Sequence, residues 1–376
     1  MNLRQLLVSF VVLLAFAAHF STTSAQSPKK YIVNGYVGGF RGLVKTELID
    51  ARKLTHINYA FVNVKDSVAV LTNLKTDSTN FRKLNELKRI NPDLKILISI
   101  GGWAWSENFS DAVLTESSRR KFAKSGVDII RQFNLDGVDI DWEYPGMKGE
   151  EGNIYRAEDK ENFTLMFKAY REELDKLGQE KRKRYLLTAA VGASKSFIEH
   201  TDMGALAQYM DYVLIMTYDY GGRNGTVGHH TNLYANKKDP EMSSADRSIK
   251  NFIAAGLPAK KIGLGVAFYG KGWEAESTAN NGIGQKRIKS VQAGGYTKIK
   301  DTVINQNGYR KYYDKKSKAP YLFNPSTKIL ITYDDEKSVR EKCRYVKKNK
   351  LAGIFFWEYF SDPKGYLLNE IDSDLD

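Results

Sequence analysis

The 376-residue chain contains a single cysteine, Cys343, so no disulfide can form within it. A fold working outside a reducing compartment must then rest on its buried core, and the chain is long enough to build a large one. Histidine is scarce, and the pair His229-His230 has no third histidine or carboxylate at ligand spacing. That argues against a metal site and leaves the pair as a polar loop. No glycine-rich phosphate loop follows the first β-like run, which weakens a nucleotide-binding sheet. Repeats, low-complexity tracts and an appended binding module are absent. Beyond the N-terminus no apolar run approaches the ~18 residues of a membrane span. The composition calls for neither metal nor cofactor.

The N-terminus reads as a secretory signal. Arg4 supplies the positive start, Leu6 to Phe20 the apolar segment, and Thr23-Ser24-Ala25 a small-residue cleavage site. This predicts a signal peptide over 1–25, a mature chain over 26–376, and export to the periplasm or extracellular space with no membrane anchor after cleavage. The formal charge is +13, and Arg4 is the one charged residue in the signal. Lysines and arginines are scattered among acids, so nucleic acid is not an expected partner. The one dense cluster, Lys181 to Arg184, reads as a solvated loop. Cys343, between Lys342 and Arg344, reads as structural.

Eight β-rich runs alternate with amphipathic stretches. They cover 31–37, 56–62, 95–100, 137–142, 185–191, 212–218, 261–268 and 352–357, and the pattern predicts an α/β fold, a (β/α)₈ barrel. About 80 residues separate the last two runs, more than one helix needs. Residues 272–333, rich in Gly, Tyr, Lys and Thr, are expected to form an α+β insertion beside the catalytic face.

The densest chemistry is in LDGVDIDWEYPG, Leu135 to Gly146. With a period of two, Asp139, Asp141 and Glu143 share one face of a strand, and Val138, Ile140 and Trp142 the other. Stacked carboxylates repel and resist desolvation, which is how a site keeps one of them protonated as a general acid. Asp136 has the wrong parity and is given a supporting role. All five tryptophans (Trp103, Trp105, Trp142, Trp273, Trp357) fall at or just past the C-terminal end of a proposed strand. That is the face where barrel enzymes bind ligands, and indoles there suit the C–H faces of sugar rings.

These motifs together resemble family 18 glycoside hydrolases, the chitinase family. DxxDxDxE is complete as Asp136, Asp139, Asp141 and Glu143, and SxGG appears as Ser99, Gly101 and Gly102, followed by Trp103. Met216-Thr217-Tyr218-Asp219, GLGVAFYGKGW and Trp357 also match, in the family's order. The resemblance implies retaining cleavage of β-1,4 N-acetylglucosamine linkages, in which the substrate's own acetamido group attacks. By position Glu143 is the general acid, Asp141 orients the acetamido group, and Asp139 shares a proton with Asp141, supported by Ser99. Tyr218 bonds the acetamido group, Asp219 touches the −1 sugar, and Trp357 floors that subsite. Tyr36 and Phe61 shape it, and Gly102, Trp103, Tyr144 and Met216 complete the expected substrate contacts. Chitin or N-acetylglucosamine oligosaccharides are the implied partners of a monomer.

Two positions depart from the pattern. Arg223 stands near the place of an aromatic that contacts the leaving sugars, and Lys271 stands where arginine is frequent. Two alternatives follow: an endo-β-N-acetylglucosaminidase acting on N-glycans, and a non-catalytic, lectin-like oligosaccharide binder. The retained Glu143 argues against the second.

Overall fold

The computed structural model describes residues 29–235 and 243–375. The expected signal peptide lies outside them. Eight parallel strands form a closed barrel: Ile32–Gly38, His56–Lys65, Lys95–Gly101, Gly137–Asp141, Leu186–Gly192, Tyr212–Met216, Ile262–Ala267 and Gly353–Trp357. Each pairs with the next in sequence, and the eighth closes on the first, Ile32 opposite Gly353. Strands covered on both faces must be apolar almost throughout, and Lys95–Gly101 (KILISIG) is buried after its first residue. The eight expected runs are these eight strands, shifted at their ends by a few residues.

Helices pack outside. Glu116–Phe133 starts at a capping box, Thr115 with Ser118, and ends at left-handed Asn134. It turns Phe122, Val127 and Ile130 onto the barrel. Asp136 then accepts from the backbone N–H of Ile96 at 2.8 Å and pairs with Lys88 (2.6 Å) and Lys183 (2.5 Å). These contacts clasp the start of the fourth strand, at the opposite end from the other acids. The Lys181–Arg184 cluster is therefore not simply solvated, because Lys183 closes on Asp136 and Arg184 on Asp211 (2.6 Å).

Between the seventh and eighth strands lies a five-stranded antiparallel sheet with one helix, Tyr296–Thr302. Its strands are Tyr269–Ala275, Arg287–Gly295, Arg310–Asp314, Ala319–Asn324 and Ile329–Thr332. Residue 272 falls inside the first of these, which follows the seventh barrel strand after Phe268 alone. Trp273, Val227, Phe323 and Leu330 form this sheet's own core. A wholly buried ion pair, Lys342 Nζ to Asp334 Oδ2 at 2.6 Å, ties the sheet's exit to the following helix. Lys342 also donates to Thr231.

Candidate active site

The fourth strand points Asp139 and Asp141 into the barrel, while Val138 and Ile140 face the helices. Trp142 goes with the latter: it is buried and stacks on Phe109 at 5.2 Å. Trp142 and Trp273 are thus core residues and not sugar platforms. Their position after a strand does not reveal which side they face. Trp103, Trp105 and Trp357 do line the cleft above the barrel.

Asp139 is fully buried and both its oxygens are occupied. Tyr36 Oη and Ser99 Oγ donate to Oδ2, each at 2.7 Å, and Thr188 Oγ1 donates to Oδ1 at 2.6 Å. Burial raises its pKa against the pull of these donors. Asp141 is also buried, and its Oδ1 has no hydrogen-bond partner among the described residues. Burial, then the charges of Glu143 and Asp139, holds its carboxyl well above the ordinary range. This unsatisfied buried carboxyl oxygen opens onto the cleft, where a ligand could meet it.

Glu143 follows the strand and faces the same cleft. Burial pushes its carboxyl up to about 7; the charges of Asp219 and Glu150 add to this, and a hydrogen bond with Tyr144 opposes it. A carboxylic acid titrating near neutrality can donate a proton and then take one back. Its backbone is fixed on both sides. Its N–H donates to Ser106 Oγ at 2.9 Å, and Asn153 Nδ2 donates to its carbonyl at 3.2 Å. Neither Ser106 nor Asn153 was legible from motif or spacing, since each reaches Glu143 through a loop.

Glycine is required twice nearby. Gly101 (φ +111°) would bring a Cβ to 2.2 Å from the Asp141 carbonyl, and Gly102 (φ +82°) to 2.6 Å from the Phe61 ring. The aromatic floor is a near-parallel set. Trp357 lies 5.5 Å from Phe61 and 6.3 Å from Phe40, with interplanar angles of 17° and 14°. Phe40, half exposed, is a cleft residue that the sequence did not single out.

The cleft has a volume of about 850 Å³. Tyr36, Phe61, Trp103, Tyr144, Met216, Tyr218, Asp219 and Trp357 line it beside Asp141 and Glu143. Ser99 and Asp139 sit beneath, and Gly102 backs Phe61. Tyr218 is held between Phe355 and Tyr269. Asp219 accepts from the Tyr269 hydroxyl and pairs with Lys271 Nζ at 2.9 Å. His230 first, then Lys271 and Tyr269, hold its carboxyl well below the usual carboxylate range against the effect of burial. Arg223 sits on an exposed turn away from the cleft lining. His229 and His230 are not a solvated loop: both rings are buried, and no metal-holding cluster occurs among the described residues.

Comparison with known proteins agrees with this geometry. Residues 25–362 match Glycosyl hydrolases family 18. Chitinase A1 of Niallia circulans is 36% identical over 97% of this chain, which spans 61% of that protein's length. Chitotriosidase-1 of Mus musculus is 32% identical, covering 86% of this chain and 70% of its own. Among solved structures, a family 18 N-acetylglucosaminidase from Paenibacillus barengoltzii is 42% identical with a TM-score of 0.84, covering 92% of this chain and 99% of its own. The chain belongs to glycosyl hydrolases family 18.

Proposed function

From that membership we propose that this chain is an exported chitinase, which cleaves β-1,4 N-acetylglucosamine linkages with retention by substrate-assisted catalysis. One observation carries the reading: the protonatable Glu143 and the unsatisfied Asp141 Oδ1 open side by side onto an aromatic-floored cleft. Glu143 gives its proton to the glycosidic oxygen. The acetamido oxygen of the −1 sugar attacks the anomeric carbon, and Asp141 accepts the acetamido N–H, fixing that group and offsetting the charge of the oxazolinium ion. Asp139 keeps Asp141 in place from below. Tyr218 holds the acetamido group, and Asp219 and Trp357 seat the sugar. Glu143, now a carboxylate, then takes a proton from the water that opens the ring. The Trp357–Phe61–Phe40 floor suits stacked pyranose faces.

The test is incubation with N-acetylglucosamine hexamer. Wild type should shorten it, while Glu143→Gln should bind it without cutting. Binding without turnover by the wild type would favour the lectin-like alternative. Glycan release from a high-mannose glycoprotein with the hexamer left intact would favour the endo-β-N-acetylglucosaminidase. The name of the Paenibacillus barengoltzii neighbour favours one variant of the main reading, in which monomer is the dominant product.

A further inference from the structure

His230 lies in the loop after the sixth strand, outside the family motifs read above, and its ring is wholly buried. Its backbone is fixed on both sides: its carbonyl accepts from Tyr220 N–H at 3.1 Å and its N–H reaches Thr332 Oγ1 at 3.3 Å. The Tyr269 ring packs on it at 5.3 Å. Neither ring nitrogen has a hydrogen-bond partner among the described residues. Its Nδ1 lies 3.5 Å from Asp219 Oδ1, within reach of the carboxylate but short of a formed hydrogen bond. A buried imidazole nitrogen left without any partner is costly, and a carboxylate can only accept. Nδ1, with a carboxylate in reach, is the nitrogen placed to carry the hydrogen. The contact is long in the free protein, as active-site hydrogen bonds often are before a substrate tightens them.

The charged and titratable groups around the ring come from three elements. Asp219 belongs to the turn after the sixth strand. Lys271 and Tyr269 lie on the first strand of the inserted sheet, and Asp334 follows its last strand. Asp334 is already neutralised by Lys342. On the other side of the cleft, Glu143 feels Asp141, Tyr144, Glu150 and the same Asp219. Asp219 is thus the link between the histidine and the acid.

We infer that His230 is a positioning residue: its Nδ1–H, on a ring with no other partner, holds the Asp219 carboxylate in the cleft wall that Glu143 faces. The inference rests on the hydrolase reading, and it adds to it a group that never touches substrate. Two variants separate positioning from packing. His230→Asn keeps an N–H donor at the δ position and loses bulk, whereas His230→Leu keeps bulk and loses the donor.

With His230→Leu, kcat/KM on a chitooligosaccharide should fall roughly tenfold, the size of one hydrogen bond to a charge. The alkaline limb of its pH profile should move up by about half a unit, because the donor's positive end no longer offsets Asp219. His230→Asn should restore both towards wild type although it packs less well. The reverse ranking, or an unmoved limb in the leucine variant, overturns the inference. A second measurement does not depend on activity. In ¹⁵N-histidine-labelled protein at neutral pH, His230 should be the Nδ1–H tautomer with an unprotonated Nε2. The Nε2–H tautomer would overturn the inference even if the enzyme cuts chitooligosaccharides. The Nδ1–H tautomer in a protein inactive on them would leave it standing while the hydrolase reading falls.

Discussion

Tyr36 donates its hydroxyl to Asp139 Oδ2 at 2.7 Å, joining the first and fourth strands across the barrel interior. The pair shows how the site is assembled: the acid that never meets solvent is fixed by hydroxyls from three other strands, Tyr36, Ser99 and Thr188. Tyr36→Phe removes one of them. It should cost about 1.5–3 kcal/mol of stability, as for a hydrogen bond to a charged group. Turnover should fall at least tenfold, since the charge of Asp139 acts on Asp141. Chemical denaturation and kcat on the same preparation check this; an unchanged kcat would remove Asp139 from the account.

The raised carboxyl of Glu143 fixes the pH dependence. In the proposed role as general acid the group must be protonated, so kcat/KM should fall as pH rises through about 7. Its folded value lies above the unfolded one, so it favours the folded state at low pH. That contribution is lost between about 4.5 and about 7 as the buried carboxyl ionises. Glu143→Gln should abolish turnover and, above neutral pH, raise stability by about 3 kcal/mol at most. Denaturant midpoints of both proteins from pH 4 to 8 measure it; parallel curves would contradict the assignment.

The buried Lys342–Asp334 pair ties the exit of the inserted sheet to the helix that follows it. Lys342→Met leaves Asp334 buried without its counter-charge and should destabilise by about 3–5 kcal/mol. Thermal unfolding reads the loss. A melting temperature within a degree of wild type would show that the pair is dispensable.

Phe40 extends the aromatic floor past Trp357 and Phe61. Phe40→Ala should raise KM for a hexamer several-fold while changing that for a dimer little, because a dimer need not reach it. Equal effects on both lengths would place Phe40 outside the substrate path.

Much of this arrangement could be read from the sequence because it is periodic. Alternation along Gly137–Asp141 puts Asp139 and Asp141 inward, and the spacing of eight β-rich runs gives the barrel. What could not be read depends on long-range closure. Ser106, Asn153 and His230 reach the site through irregular backbone, so neither spacing nor residue type marks them. Trp142 and Trp273 show the opposite failure. Each sits where a strand ends, yet Trp142 turns to the helices and Trp273 fills the core of the inserted sheet. His229-His230 looked polar because two imidazoles are adjacent, and the structure buries both against acids contributed by other segments.

The most direct test of the central claim uses the substrate's own acetamido group. Wild type and Glu143→Gln are incubated with N-acetylglucosamine hexamer and with the fully deacetylated glucosamine hexamer, and the products are followed by mass spectrometry. Substrate-assisted hydrolysis through Glu143 predicts cleavage of the acetylated hexamer alone, and by the wild type alone. Comparable cleavage of the deacetylated hexamer, or turnover by Glu143→Gln, would contradict it.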